Sequence, residues 1–94
     1  MKEEIIKKIN TDVQKVTPLL PDNLKEWLHY NKTQPFLMKY DNCNLWVITK
    51  EGDSSYQIVY DQDKEKYGLI SILPDHQIIY LGLTGGLLET IENM

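Results

Sequence analysis

The sequence predicts an α+β domain with two N-terminal helices, an antiparallel meander sheet of four to five strands, and a short C-terminal helix. Three observations predict this fold. Apolar residues recur at offsets of three and four as far as Asn31, and short runs rich in Ile, Val, Tyr and Trp follow Pro35. The connections between those runs are too short to hold crossover helices. The 94 residues are enough for one domain, residues 1–94.

The first helix is predicted over residues 2–16, where the apolar side chains fall on one stripe of a helix. These side chains are Ile5, Ile6, Ile9, Val13 and Val16. Thr17-Pro18 should end this helix, because the residue before a proline avoids helical dihedral angles.

The second helix is expected to begin at the segment Leu19–Asp22. Asp22 is the predicted N-cap, since its carboxylate can accept hydrogen bonds from free backbone N–H groups. The buried stripe consists of Leu24, Trp27 and Leu28. We expect this helix to end near Tyr30-Asn31, ahead of a loop at Thr33-Gln34-Pro35.

Five strands are expected after that loop. They are Phe36–Tyr40, Leu45–Lys50, Tyr56–Tyr60, Tyr67–Leu73 and Gln77–Leu83. Glu51-Gly52-Asp53 and Pro74-Asp75 are predicted to be tight turns, and Asp61–Lys66 a longer exposed loop. Thr84 is the predicted N-cap of a C-terminal helix. That helix would carry Leu87, Leu88 and Ile91.

The first hairpin predicts a register. If Lys50 faces Ser54, then Trp46 faces Ile58. One face of the sheet then carries Trp46, Ile48, Tyr56, Ile58 and Tyr60, and we expect the helices to cover it. The strand Gln77–Leu83 is apolar on both faces, which predicts a surface left for a partner.

Charge argues against nucleic acid as a partner. The net charge is −4, and residues 33–94 hold four lysines against nine acidic residues. All ten basic residues are lysine, so the bidentate guanidinium fork that recognises guanine and phosphate is missing. An acidic chain without arginine is poorly suited to a polyanion.

Cysteine content and hydropathy indicate the compartment. Cys43 is the single cysteine, so no internal disulfide can form, which fits a reducing compartment. The N-terminal residues alternate charged and apolar side chains instead of forming the apolar run of a secretory signal. No stretch approaches the length of a spanning helix. We therefore expect a cytoplasmic protein without membrane contact.

Two strings resemble ligand-binding motifs, and for each we favour an ordinary turn. Asp61-x-Asp63-x-Glu65 resembles a calcium loop, but the positions that need glycine and glutamate hold Lys66 and Ile72. Gly82–Gly86 joins a strand to a helix, where phosphate loops occur. It lacks their glycine spacing and the lysine that follows.

Few residues could support catalysis or bind a metal. Cys43, His29 and His76 are the main candidates, and they are too few and too far apart in sequence for a structural zinc site. A Cys-His nucleophilic pair has no local support around Cys43. We expect no catalytic residue, no metal and no cofactor.

The six tyrosines point to an interface. Tyrosine and tryptophan anchor protein interfaces because they bury a large area and keep a polar group. The predicted binding residues are Trp46, Tyr56, Tyr60 and Tyr80. The alternative is sheet packing, since tyrosine is also favoured in strands.

The segment Leu20–Asn31 resembles an element of the SUKH superfamily. The resemblance consists of a preceding amphipathic helix, Leu20-Pro21-Asp22, the aromatic-Leu pair Trp27-Leu28, and the terminal Asn31. Lys32 stands where that element has glycine, and the spacing is one residue shorter. The superfamily includes many bacterial immunity proteins that bind and block toxins, so the resemblance implies such a role.

The leading functional hypothesis is a non-enzymatic protein-binding domain, such as an immunity protein that neutralises a toxin. An acidic surface steers a protein towards a basic partner. The alternative is a small-ligand-binding module with a pocket between the sheet and the helices, lined by Trp46, Tyr56 and Tyr60.

Overall fold

The computed structural model describes residues 2–40, 42–49, 56–72, 75 and 77–93. The helices are α1 (Lys2–Val16), α2 (Asp22–Asn31) and α3 (Leu87–Glu92), and a 3₁₀ turn spans Thr17–Leu19. The strands are β1 (Lys32–Tyr40), β2 (Cys43–Thr49), β3 (Gln57–Asp61), β4 (Lys66–Ile72) and β5 (Ile78–Gly85). The predicted α+β fold is confirmed. None of the helices in these ranges is long and apolar enough to cross a membrane.

The helices begin and end close to where the apolar pattern predicts, but both predicted N-caps are wrong. The N-cap of α2 is Pro21, and Asp22 is the first helical residue. Asp22 therefore stabilises α2 through its negative charge, which the helix dipole favours at the N-terminal end. The N-cap of α3 is Gly86, because β5 continues through Thr84, whose hydroxyl donates to the carbonyl oxygen of Tyr67 at 3.3 Å.

The five strands form one antiparallel sheet in the order β1-β2-β3-β4-β5, so the predicted meander is confirmed. The predicted loop at Thr33-Gln34-Pro35 is wrong, because β1 begins directly after α2. An edge strand tolerates Pro35, since its missing N–H can face away from the neighbouring strand. The pairing with β2 is irregular between Lys32 and Phe36.

The predicted register of β2 and β3 is wrong by two residues, although the predicted faces are right. Trp46 lies opposite Tyr60 instead of Ile58. Side chains alternate with a period of two, so a two-residue shift leaves the strand residues Trp46, Ile48, Ile58 and Tyr60 on their predicted face. Lys50, Ser54, Glu51-Gly52-Asp53, Pro74 and His76 lie outside the described residues.

The helices cover one face of the sheet, as predicted. Its buried apolar side chains are Ile9, Leu20, Leu28, Trp46, Ile48, Ile58, Tyr60, Tyr67, Leu69, Leu87 and Ile91. Tyr56, which was predicted to belong to this set, precedes β3 and is exposed.

The opposite face, here called the helix-free face, has a second core. Leu45, Val47, Val59 and Ile70 are fully buried there, and no side chain of a described helix packs against them. These four residues are covered instead by partly buried side chains, most of which belong to the edge strands β1 and β5. They are Met38, Tyr40, Cys43, Ile78 and Tyr80. The sheet therefore closes over part of its own surface.

Candidate functional site

The helix-free face is the candidate functional site. Phe36, Met38 and Tyr40 occupy alternate positions of β1. They pair with Val47, Leu45 and Cys43 of β2, so all of them point to the same face. Phe36 is 50% exposed, while Met38 and Tyr40 are partly buried.

On the far side of this face, β5 contributes Ile78 and Tyr80. Tyr80 pairs with the buried Ile70, and both side chains of β5 are partly buried. The apolar and aromatic rim around the four fully buried aliphatic residues is thus partly buried, except at the exposed Phe36; it consists of Phe36, Met38, Tyr40, Ile78 and Tyr80. Rings set on a rigid apolar base are typical anchors of protein interfaces.

One buried carboxylate lies beneath this face. Asp61 is buried, and its Oδ1 accepts the backbone N–H groups of Asp63 at 2.9 Å and Lys64 at 3.1 Å. Burial raises the pKa of the Tyr80 hydroxyl, and the charges of Asp61 and Cys43 raise it further. Tyr80 therefore stays neutral near pH 7.

Those hydrogen bonds also explain the metal-like string Asp61-x-Asp63-x-Glu65. Asp61 caps the turn between β3 and β4, while Asp63 and Glu65 are exposed. Within the described ranges, no three His, Cys, Asp or Glu side chains come together as metal ligands would.

A second concave region lies between α1, β4 and the start of α3. This cleft of about 390 Å³ is lined in part by Lys15, Lys66 and Leu88. At its floor, Asp12 Oδ2 accepts the hydroxyl of Tyr67 at 2.7 Å and Lys8 Nζ at 3.0 Å.

The polar groups at that floor are already paired with one another. Burial, then the hydrogen bond to Asp12, raises the pKa of Tyr67 far above its ordinary value. The same carboxylate raises the pKa of Lys8, whose Nζ also lies 5.2 Å from the centre of the Tyr60 ring. This network joins α1 to the sheet, so its first role is structural.

The carboxylate of Glu89 lies beside the Gly82–Gly86 segment, where a bound anion would otherwise lie. Gly85 has a φ of +117°, and a Cβ there would lie 3.3 Å from Glu89 Oε2. At Gly86 the corresponding distance to Glu89 Oε1 is 3.7 Å. An anion at this turn would be repelled by Glu89, which favours the interpretation as an ordinary turn into a helix.

The structure separates the four predicted binding residues. Trp46 and Tyr60 are paired and buried beneath the helices, where Trp46 Nε1 donates to Gln62 Oε1 at 3.0 Å. Tyr56 is exposed outside β3, and Tyr80 lies on the helix-free face. Only Tyr80 therefore belongs to the candidate site.

The predicted reactive residues do not meet one another in the described structure. Cys43 is partly buried on the helix-free face, and His29 is exposed on α2 against the ring of Tyr30. Sequence reasoning missed Phe36, Met38 and Tyr40 as site residues. Their alternation within a predicted strand was the available signal.

No known protein family, no curated protein and no solved structure matches this chain.

Proposed function

We propose that this protein is a non-enzymatic protein-binding domain that receives its partner on the helix-free face. The observation that carries the proposal is the exposed Phe36 ring on the same sheet face as the partly buried Met38, Tyr40 and Tyr80. Aromatic side chains in a continuous apolar patch supply most of the binding energy in protein interfaces. A sheet face that no described helix covers offers such a patch.

The face is also preorganised for binding. Its rim rests on Leu45, Val47, Val59 and Ile70, which are fully buried, and Tyr40 and Tyr80 hold each other in ring contact. Side chains that are already fixed lose little conformational entropy when a partner binds. Binding should therefore need little rearrangement of this domain.

Charge favours a basic partner. Residues 33–94, which include the whole sheet apart from Lys32, hold nine acidic residues against four lysines. Such a field accelerates association with a positively charged protein. A toxin with a basic active surface fits this description, and the SUKH-like segment Leu20–Asn31 supports an immunity role.

The test is capture of the partner from native lysate by immobilised wild-type and variant proteins. Phe36→Lys adds a charge to the helix-free face, whereas Leu37→Lys adds the same charge to the neighbouring residue. Leu37 is 45% exposed, close to the 50% of Phe36, but it pairs with Trp46 and so lies on the helix-covered side.

We expect the wild type and Leu37→Lys to retain the same protein in stoichiometric amount. Phe36→Lys should weaken its binding at least about tenfold, the effect of losing one anchor residue. Equal retention by both variants would show that the partner uses another surface. If wild-type protein retains no stoichiometric partner, the proposed function is wrong.

A small-ligand-binding module is the second candidate function, and the cleft beside α1 favours it. Its volume of about 390 Å³ lies in the range of small-molecule sites. This cleft differs from the pocket that the sequence predicts between the sheet and the helices. That predicted pocket is filled, because Trp46 and Tyr60 are buried beneath the helices. Binding of a small metabolite that perturbs the NMR signals of Lys15 and Leu88, with those of Phe36 unchanged, would support this alternative.

A further inference from the structure

The helix-covered side of the sheet carries an ammonium group set over a tyrosine ring. Lys8 Nζ lies 5.2 Å from the centre of the Tyr60 ring and 3.0 Å from Asp12 Oδ2. The ring of Tyr67 lies beside that of Tyr60, with the two centroids 4.8 Å apart. Two tyrosine rings and a carboxylate are thus grouped with one ammonium, which the π face and the negative charge both attract.

The helix-free face repeats the rings and the carboxylate. The rings of Tyr40 and Tyr80 are in contact with their planes at 76°, so together they form a corner with two π faces. Asp61 lies on the same face, since it is the ladder partner of Leu45 in the helix-free core. Burial and then the negative charge of Asp61 raise the pKa of the Tyr80 hydroxyl, so that charge acts on the Tyr40–Tyr80 corner.

The cation is missing from this second arrangement. Asp61 is 1% exposed and accepts two backbone N–H groups, but no described lysine forms an ion pair with it, not even its ladder partner Lys66. In the described part of the chain, no ammonium group lies over the ring of Tyr40 or Tyr80. A buried charge without a counter-charge is unfavourable, and a cation on the nearby rings would lower that cost.

We propose that the Tyr40–Tyr80 corner binds a methylated alkylammonium group, held against the two rings in the field of the buried Asp61. Lys8 shows that an alkylammonium suits a tyrosine ring beside a carboxylate in this fold. Lys8 donates directly to Asp12, whereas Asp61 is too buried for a ligand to touch. A primary ammonium would leave its three N–H donors unsatisfied there, so the methylated form fits better.

Such a group has two sources, a free small molecule such as choline and a methylated lysine of a basic protein. The second source deepens the proposed function and rests on it, because it would anchor the basic partner on the helix-free face. The chemistry of the corner is the same for both sources. It can therefore be tested without the partner.

Choline is the probe, and the control compound is its uncharged isostere, in which a tert-butyl group replaces the trimethylammonium group. In an NMR titration at constant ionic strength, choline should shift the ring signals of Tyr40 and Tyr80 with a dissociation constant of about 1–10 mM. The isostere should bind at least about tenfold more weakly. Equal affinity for the two compounds would indicate a merely apolar contact and overturn the proposal, as would the absence of a saturable shift with choline.

Variants separate the charge from the rings. Asp61→Asn keeps an oxygen that can accept the two backbone N–H groups but removes the charge, so it should weaken choline binding at least about threefold. Tyr80→Leu removes a π face and should weaken binding at least about fivefold, whereas Tyr80→Phe keeps that face and should bind as the wild type does.

The matched control is Tyr30→Leu. The ring of Tyr30 meets that of His29 at 74°, an angle close to that of the Tyr40–Tyr80 corner, but it belongs to α2. This variant should bind choline with wild-type affinity. If Asp61→Asn and Tyr80→Leu also bind with wild-type affinity, the cation site lies elsewhere and the proposal is wrong.

Two peptides that differ only in trimethylation of one lysine identify the source. Preference for the trimethylated peptide, with an affinity above that of choline, would indicate a protein side chain, and binding of choline alone a free ligand. The result is independent of partner capture from lysate. If choline does not bind while the partner is captured, only the cation site is wrong. If choline binds while no partner is captured, only the proposed function is wrong.

Discussion

The rings of Tyr40 and Tyr80 meet edge to face, with their centroids 5.7 Å apart and their planes at 76°, although they belong to the two opposite edge strands of the sheet. In a flat sheet β1 and β5 would be separated by four strand spacings, about 19 Å. Tyr40 ends β1 and Tyr80 lies near the start of β5, so the contact joins diagonal corners. Twisting and coiling of the sheet bring such corners together.

The first prediction is that the helix-free core stabilises the fold as much as the helix-covered core does. Ile70 and Ile58 are both fully buried, on opposite faces of the sheet. Ile70→Ala and Ile58→Ala should each lower the free energy of unfolding by about 2–5 kcal/mol, because each leaves a cavity in close-packed surroundings. Urea denaturation measures both. A cost for Ile70→Ala below about 1 kcal/mol would mean that the helix-free side is not a packed core.

The second prediction concerns two glycines on neighbouring strands, Gly68 of β4 and Gly82 of β5. A Cβ on Gly68 would collide with the carbonyl oxygen of Gly82 and lie 3.0 Å from the Cα of Leu83, and neither backbone atom can move cheaply. Gly68→Ala should therefore cost about 3 kcal/mol.

The matched control is Gly82→Ala. A Cβ there would meet nothing within 4 Å, so the cost comes only from the φ of +101°. We expect about 1–2 kcal/mol for this variant in the same urea denaturation. If Gly82→Ala proves the more destabilising of the two, the close approach of β4 and β5 at Gly68 is described wrongly.

The third prediction is a loss of stability at alkaline pH that depends on Tyr67. Its pKa is raised in the folded protein by burial and by Asp12, whereas in the unfolded chain it lies near 10. The folded state therefore holds the proton more tightly. The stabilisation is complete below about pH 10 and is lost as the pH rises above that value.

Tyr67→Phe removes this titration together with the hydrogen bond to Asp12. At pH 7 the variant should be less stable by about 1–2 kcal/mol, because the bond to a charged acceptor is lost. Its free energy of unfolding should then fall less steeply than that of the wild type between about pH 10 and 11. Parallel curves for the two proteins in that range would contradict the predicted role of Tyr67.

The fourth prediction separates Asp61 from its neighbour Asp63. Asp61→Ala removes the acceptor of two backbone N–H groups in the β3–β4 turn and should cost about 1–3 kcal/mol. Asp63→Ala changes an exposed side chain of the same turn and should cost less than about 0.5 kcal/mol. Thermal denaturation with and without added calcium is the measurement. A calcium-dependent rise in the wild-type melting temperature would instead support a metal loop.

The number, order and direction of the strands could be predicted from the sequence because they follow from local patterns. Runs of β-branched and aromatic residues mark strands, and short connections between them require antiparallel neighbours. The face of each residue follows from alternation alone. That is why Trp46 and Tyr60 were placed on one face even though their register was wrong by two residues.

Local patterns were insufficient where several conformations suit the same residues. Thr33-Gln34-Pro35 has the composition of a loop, yet it lies in β1, where an edge position tolerates the proline. Asp22 and Thr84 are good capping residues, but each lies off the cap position in the folded chain.

The candidate site could be predicted only in part. Apolar residues on both faces of the last strand indicate an uncovered surface, and Tyr80, one of the four predicted binding residues, lies on the helix-free face. The contribution of Phe36 and Tyr40 depends on the coiling of the sheet, which brings β1 close to β5. No local pattern encodes a contact between residues 40 positions apart.

The central claim is that the helix-free face receives the protein partner, and Cys43 offers the most direct measurement. It is the single cysteine of the chain, and its partly buried side chain lies on that face beside its strand partner Tyr40. The rate at which a thiol reagent modifies Cys43 should fall in proportion to the fraction of protein bound to the captured partner. An unchanged rate in the saturated complex would place the partner elsewhere and contradict the claim.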